Sequence, residues 1–140
     1  MLSTYKTGLL QAKSYRMLKS YLSSQLSEYS LTMPQWAFLG LIYDARTMRL
    51  SEIAQILDVE APFATNLADQ LQKKGLIKRT ESKEDRRAKA VTLTKKGDTL
   101  IPVVEEKVKD AMRKIYKSIS PEDLGTYLRV LSAITTEYTA

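Results

Sequence analysis

The chain has 140 residues, with 22 Lys/Arg against 16 Asp/Glu and neither Cys nor His. Without Cys there are no disulfides, no thiol catalysis and no cysteine redox sensing. Without His the usual general base and the commonest transition-metal ligand are missing. What remains is an ordinary globular composition, 44% apolar and 27% charged, sized for one domain.

The N-terminal stretch MLSTYKTGLLQAKSYR is interrupted by polar residues and lacks the apolar core of a signal peptide. The longest clean apolar run, Trp36 to Ile42, is far too short to span a membrane. A cytoplasmic chain with no membrane partner is expected. No clustered Asp/Glu spacing suggests a carboxylate metal site, and no cofactor is expected.

Residues 3–28 read as one long helix. Its apolar positions are Leu9, Leu10, Tyr15, Met17, Leu18, Tyr21, Leu22 and Leu26. The stripe is broader than a single surface contact needs. It fits a core helix and equally a helix that meets a second subunit. Thr32-Met33-Pro34-Gln35 is a helix start, with Thr32 and Gln35 spaced for a capping box and Pro34 in the first turn. The helix runs to about Asp44, apolar nearly all round, and a central buried position is expected. Trp36 fits either the core or the wall of a ligand pocket. Arg46 to Leu50 reads as a loose connector.

A short helix starts at Ser51, with Ile53, Ala54, Ile56 and Leu57 as its inward face. Another starts near Ala61, with Pro62 suited to its first turn, and Gly75 stops it. Its inward positions Ala64, Leu67, Ala68 and Leu71 follow helical spacing. Pro62, Asn66, Asp69, Gln70 and Lys73 fall on the other face, with Phe63 and Thr65 on its flanks. Two short helices joined by a tight turn make a helix-turn-helix.

Two strand-like runs follow, Leu76 to Thr80 and Ala88 to Leu93, around a polar tip that ends in Asp85-Arg86-Arg87. Residues 73–96 carry ten Lys/Arg and three Asp/Glu, a local +7 in a chain whose total is +6. The rest of the chain therefore sums to −1. Charge concentrated on one hairpin is the footprint expected for a polyanion, although a solvated hairpin without a partner has the same composition. Helix-turn-helix and basic hairpin together form a winged-helix arrangement.

Thr94 can cap the next helix, from Asp98 to about Ser118, with Pro102 placed in its first turns. Ser120-Pro121-Glu122-Asp123 starts the last one. The expected fold is mainly α with a small β-hairpin.

Contacts to double-stranded DNA can be assigned by chemistry. Asn66 and Gln70 can pair bidentately with adenine, while Thr65 and Phe63 suit a thymine methyl or a phosphate. Pro62 adds to an apolar patch with Phe63. Lys73 and Ser51, the latter at the start of the first helix of the pair, complete the helical set. On the hairpin, Arg87 is the groove probe, Asp85 holds its guanidinium in one orientation, and Lys83, Arg86 and Lys89 contact phosphates.

The motifs LTxxQW from Leu31, LSEIAQILDV, NLADQLQKKGLIKR, DRR and VTLTKKG resemble the MarR family of transcription regulators along essentially the whole chain. The resemblance implies a winged helix-turn-helix lobe at residues 31–97. It also implies dimerisation helices at 1–30 and 98–140, a homodimer on a pseudo-palindromic operator, and a repressor relieved by a small aromatic or phenolic ligand. Lys13 and Arg16 would face an anionic group of that ligand, with Trp36 and Tyr43 as walls. The chain departs from the family pattern at Lys83, where Pro is usual, at Asn66, where Arg is frequent, and at Pro62 and Phe63, where small polar residues are usual. The absence of Cys excludes the peroxide-sensing branch, and the absence of His argues against the zinc-sensing one. An enzyme is not expected. A winged-helix dimer that binds protein through Pro62 and Phe63, or a ligand-independent activator, is the alternative reading.

Overall fold

The computed structural model describes residues 3–81 and 89–137. Its elements in chain order are α1 (Thr4–Ser27), α2 (Met33–Ala45), β1 (Thr47–Arg49), α3 (Leu50–Leu57), α4 (Ala61–Lys73), β2 (Ile77–Glu81), β3 (Lys89–Leu93), α5 (Lys95–Tyr116) and α6 (Pro121–Glu137). The chain divides into two compact units, residues 1–108 and 109–140. The mainly helical fold with a small antiparallel sheet agrees with the sequence reading.

In the first unit, local chemistry sets the element boundaries. The Thr32 hydroxyl accepts from the Gln35 amide at 3.3 Å, and the Gln35 side chain accepts from the Thr32 amide at 3.1 Å. This capping box starts α2 and satisfies two amides that have no partner inside the helix. Asp58 ends α3 in the left-handed conformation, φ 55°. Gly75 ends α4 the same way, at φ 73°, a conformation glycine adopts without a side-chain penalty. The Thr94 hydroxyl accepts from Gly97 N at 3.2 Å and starts α5.

The sheet has three strands in the order β1-β3-β2, all antiparallel. Met48 pairs with Val91 across β1 and β3, and both are buried. The stretch read as a loose connector is therefore an edge strand. Its single inward residue, Met48, is too weak a periodic signal, and only the pairing with β3 makes it a strand.

The core of this unit is built on Phe38, Leu39, Ile42, Ile53, Leu71, Ile77, Val91 and Val104. α2 packs against α1, α3, α4 and the sheet. It buries one face only, Gln35, Phe38, Leu39 and Ile42, while Trp36, Leu41 and Tyr43 are half-buried. This corrects the expectation of a helix enclosed all round. A second correction concerns Ile56, which is exposed. Ile53, Ala54 and Leu57 occupy the inward arc of α3, and Ile56 lies outside it. All four inward positions read for α4 are buried.

Pro102 sits inside α5, past its first turn. Capping at Thr94 starts the helix at Lys95, earlier than Asp98, so the proline falls further along. Only Leu22 and Leu26 of α1 are buried, while Tyr5, Leu9, Leu10, Tyr15 and Met17 are exposed.

The second unit holds the end of α5 and all of α6. Ser120 caps α6 by accepting from Asp123 N at 3.0 Å. Tyr127, Leu128, Val130 and Ile134 are exposed on α6.

Candidate nucleic-acid interface

α3 and α4 pack together behind the sheet strands, and α4 turns its unburied side outward. Pro62, Phe63, Thr65, Asn66, Asp69, Gln70, Gln72 and Lys73 are all exposed. Hydrogen bonding divides these residues into engaged and free groups. The Thr65 hydroxyl donates to Ala61 O at 3.0 Å, one turn back in its own helix. Asp69 and Gln72 both accept from Arg79 of β2, at 2.6 and 2.7 Å. Gln70 Oε1 accepts from Gln35 Nε2 at 2.8 Å. Among the described residues, the Asn66 side chain has no hydrogen-bond partner.

The Gln35 bond is unambiguous in direction. Gln35 Oε1 already accepts from Thr32 N at 3.1 Å and from Lys74 Nζ at 3.4 Å. Its Nε2 must therefore be the donor towards Gln70. Gln35 is itself buried, so this link ties the buried start of α2 to one flank of α4.

Arg79 joins the other flank of α4 to β2. Its side chain is only 21% exposed. The guanidinium neutralises Asp69, the one carboxylate on the outer face of α4. Arg79 thus roots the hairpin on the helix. In the sequence it is only one of ten cations, and its role depends on β2 lying beside α4.

Other cations of the basic stretch are also engaged. Lys74 Nζ donates to Ser30 O. Lys96 Nζ donates to Lys74 O at 3.0 Å. Both sit at the C-terminal end of α4, where carbonyl groups lack helical donors and a positive charge is favourable. Lys73, Lys78 and Lys95 are exposed cations of the same stretch. Ser51 is exposed near the start of α3. Lys83, Asp85, Arg86 and Arg87 lie outside the described residues. Lys89 begins β3, opposite Glu81, and its side chain lies outside them too.

The four residues assigned to a ligand lie on α1 and α2. Lys13 and Arg16 are exposed on α1, and Arg16 borders a groove walled by Met17, Ser20, Tyr21 and Ser24. Trp36 and Tyr43 do not line that groove. Tyr43 lies under the Arg46 guanidinium, 5.1 Å from the ring centroid. Arg46 also pairs with Asp98 at 3.2 Å, tying the end of α2 to the start of α5. Beside this pair is a cavity of about 340 Å³ lined by Ile42, Leu93, Thr94 and Lys95. Among the described residues no cluster of three or more carboxylates could hold a metal ion, and no helix is long and apolar enough to cross a membrane.

A helix-turn-helix followed by a hairpin rooted on its second helix defines a winged helix-turn-helix protein. Residues 31–89 match the family model described as MarR family. Similar solved structures agree in fold. A cysteine-to-serine mutant of MarR from E. coli, crystallised with operator DNA, is 23% identical with a TM-score of 0.82, and 91% of each chain is covered. BpsR from Bordetella bronchiseptica, whose DNA binding is regulated by 6-hydroxynicotinic acid, is 17% identical with a TM-score of 0.83, covering 93% of this chain and 98% of that one. A MarR family transcriptional regulator from Silicibacter pomeroyi is 24% identical with a TM-score of 0.81, covering 93% and 87%.

Proposed function

We propose that the chain is a sequence-specific double-stranded DNA-binding transcription regulator that works as a homodimer in the cytoplasm. The observation that carries this reading is the Arg79 bridge to Asp69 and Gln72. It presents an outward helix and a basic hairpin as one surface, with the helix's own carboxylate already neutralised. α4 would enter the major groove and the hairpin would supply phosphate contacts. The solved relative bound to operator DNA supports the same use of the fold.

The homodimer is supported by the apolar side chains that α1 and α6 leave exposed. Such faces are costly in a lone soluble chain and suit a second copy. Repression relieved by a small aromatic ligand is the regulatory mode proposed, by analogy with the relative controlled by 6-hydroxynicotinic acid. The role is binding rather than turnover. The test is selection of bound duplexes from a random pool, followed by fluorescence anisotropy across a salt series. Tight, salt-steep binding to an enriched sequence supports the reading, and equal affinity for selected and random duplexes ends it.

A further inference from the structure

Resting on the DNA-binding reading above, we infer that α4 reads an adenine through Asn66 and the methyl group of a neighbouring thymine through Phe63. Each half-site then carries two A·T contacts under this helix, on adjacent or next-adjacent base pairs.

The inference comes from what the fold has already engaged. A base reader needs unspent hydrogen-bonding capacity on the outward side of the helix. Thr65 has committed its proton to Ala61 O, and Asp69 and Gln72 are held by Arg79. Gln70 accepts from Gln35 and so presents chiefly its amide hydrogens. It can donate to a base or phosphate, but the reciprocal donor–acceptor pair with adenine is compromised. Asn66 keeps both its carbonyl oxygen and its amide hydrogens. That pair matches the N7 acceptor and N6 donor of adenine in the major groove. The outward face has no arginine to read guanine, and its one lysine, Lys73, is in the last turn.

Phe63 is the second observation. The residue is 45% exposed on the N-terminal half of α4, the half that reaches base edges in this docking mode. Residues 63 and 66 are one helical turn apart, and side chains so spaced sit about 5–6 Å apart at Cβ. Successive base pairs are about 3.4 Å apart, so the two side chains meet adjacent or next-adjacent pairs. An apolar ring there gains by covering a thymine methyl and gains nothing from cytosine at the same site.

The test uses the full chain and a duplex selected by it from a random pool. Each thymine is replaced singly by deoxyuridine, which removes only the methyl, and each adenine by its 7-deaza analogue, which removes only N7. One thymine per half-site should lose about fourfold in affinity on replacement, the value of one buried methyl. A neighbouring adenine should lose about tenfold or more. Phe63→Ala should abolish the first sensitivity and keep the second, and Asn66→Ala the reverse. Both side chains are exposed, and unchanged thermal melting of each variant verifies folding. If the selected duplex still binds above random but no thymine responds to loss of its methyl, or the response survives in Phe63→Ala, the inference is overturned and the DNA-binding reading stands. If no duplex is enriched, the DNA-binding reading falls and this inference with it.

Discussion

Arg79 on β2 reaches the Asp69 carboxylate of α4 at 2.6 Å while its Nε donates to Gln72 at 2.7 Å. One half-buried guanidinium therefore fixes the hairpin to two successive turns of the helix. Arg79→Met should lower the unfolding free energy by about 1–2 kcal/mol, the low end for charged hydrogen bonds because Asp69 is more than half exposed. A double-mutant cycle with Asp69→Asn should return about 1 kcal/mol of coupling in urea unfolding. A coupling near zero would mean that the bridge contributes nothing to the hairpin's position.

Gly97 is buried at the start of α5, where an added Cβ would run into the Leu76 carbonyl oxygen. That carbonyl also accepts from Thr94 N at 3.0 Å, so it cannot simply move aside. Gly97→Ala should cost about 2–4 kcal/mol through forced backbone displacement. Gly75→Ala, in open space but at φ 73°, should cost only about 1–2 kcal/mol. Thermal melting of the two variants would test the order, and a larger loss at Gly75 would contradict it.

The basic residues should separate into two groups in a salt titration. Replacing Lys83 and Arg86 together by Ala should reduce the slope of log affinity against log salt by about two, near 0.9 for each phosphate contact. Lys96→Ala should leave that slope nearly unchanged, because its ammonium donates to Lys74 O. It should instead lower stability by about 1 kcal/mol. Equal slopes for the wing variant and the parent would remove the wing from the contact surface.

Self-association should depend on α1. Leu10, exposed in the chain alone, is expected to be covered in the dimer. Leu10→Glu should shift sedimentation towards monomer and weaken operator binding by about tenfold or more, since an unpaired charge would be buried. Retention of the dimer by this variant would place the interface elsewhere.

Stability should be nearly flat between about pH 6 and 9, because no His or Cys titrates there. Above that, Tyr116 contributes a fall. Burial, and then the neighbouring Tyr127, raise its pKa above the ordinary 10.0. The folded protein holds the proton that the unfolded chain loses near pH 10, so stability is intact below that pH and declines as the pH rises towards the folded value. Denaturant unfolding of Tyr116→Phe should show a shallower decline at high pH than the parent.

The sequence by itself determined what depends on near neighbours. The Thr32–Gln35 capping box, the Thr94 and Ser120 caps, the Gly75 stop and the inward face of α4 are all set within a few residues. The charge surplus of the hairpin is likewise a matter of composition. Tertiary structure alone decided which of these residues are available. Gln70 and Gln35 are 35 positions apart, and no local pattern could reveal that a candidate base reader is occupied by a buried amide. Strand β1 exists only because β3 offers Met48 a partner in Val91. Arg79 acts on α4 only because β2 folds back beside it. Local propensity is written in spacing, whereas a hydrogen bond across the fold is decided by which surfaces the core brings together.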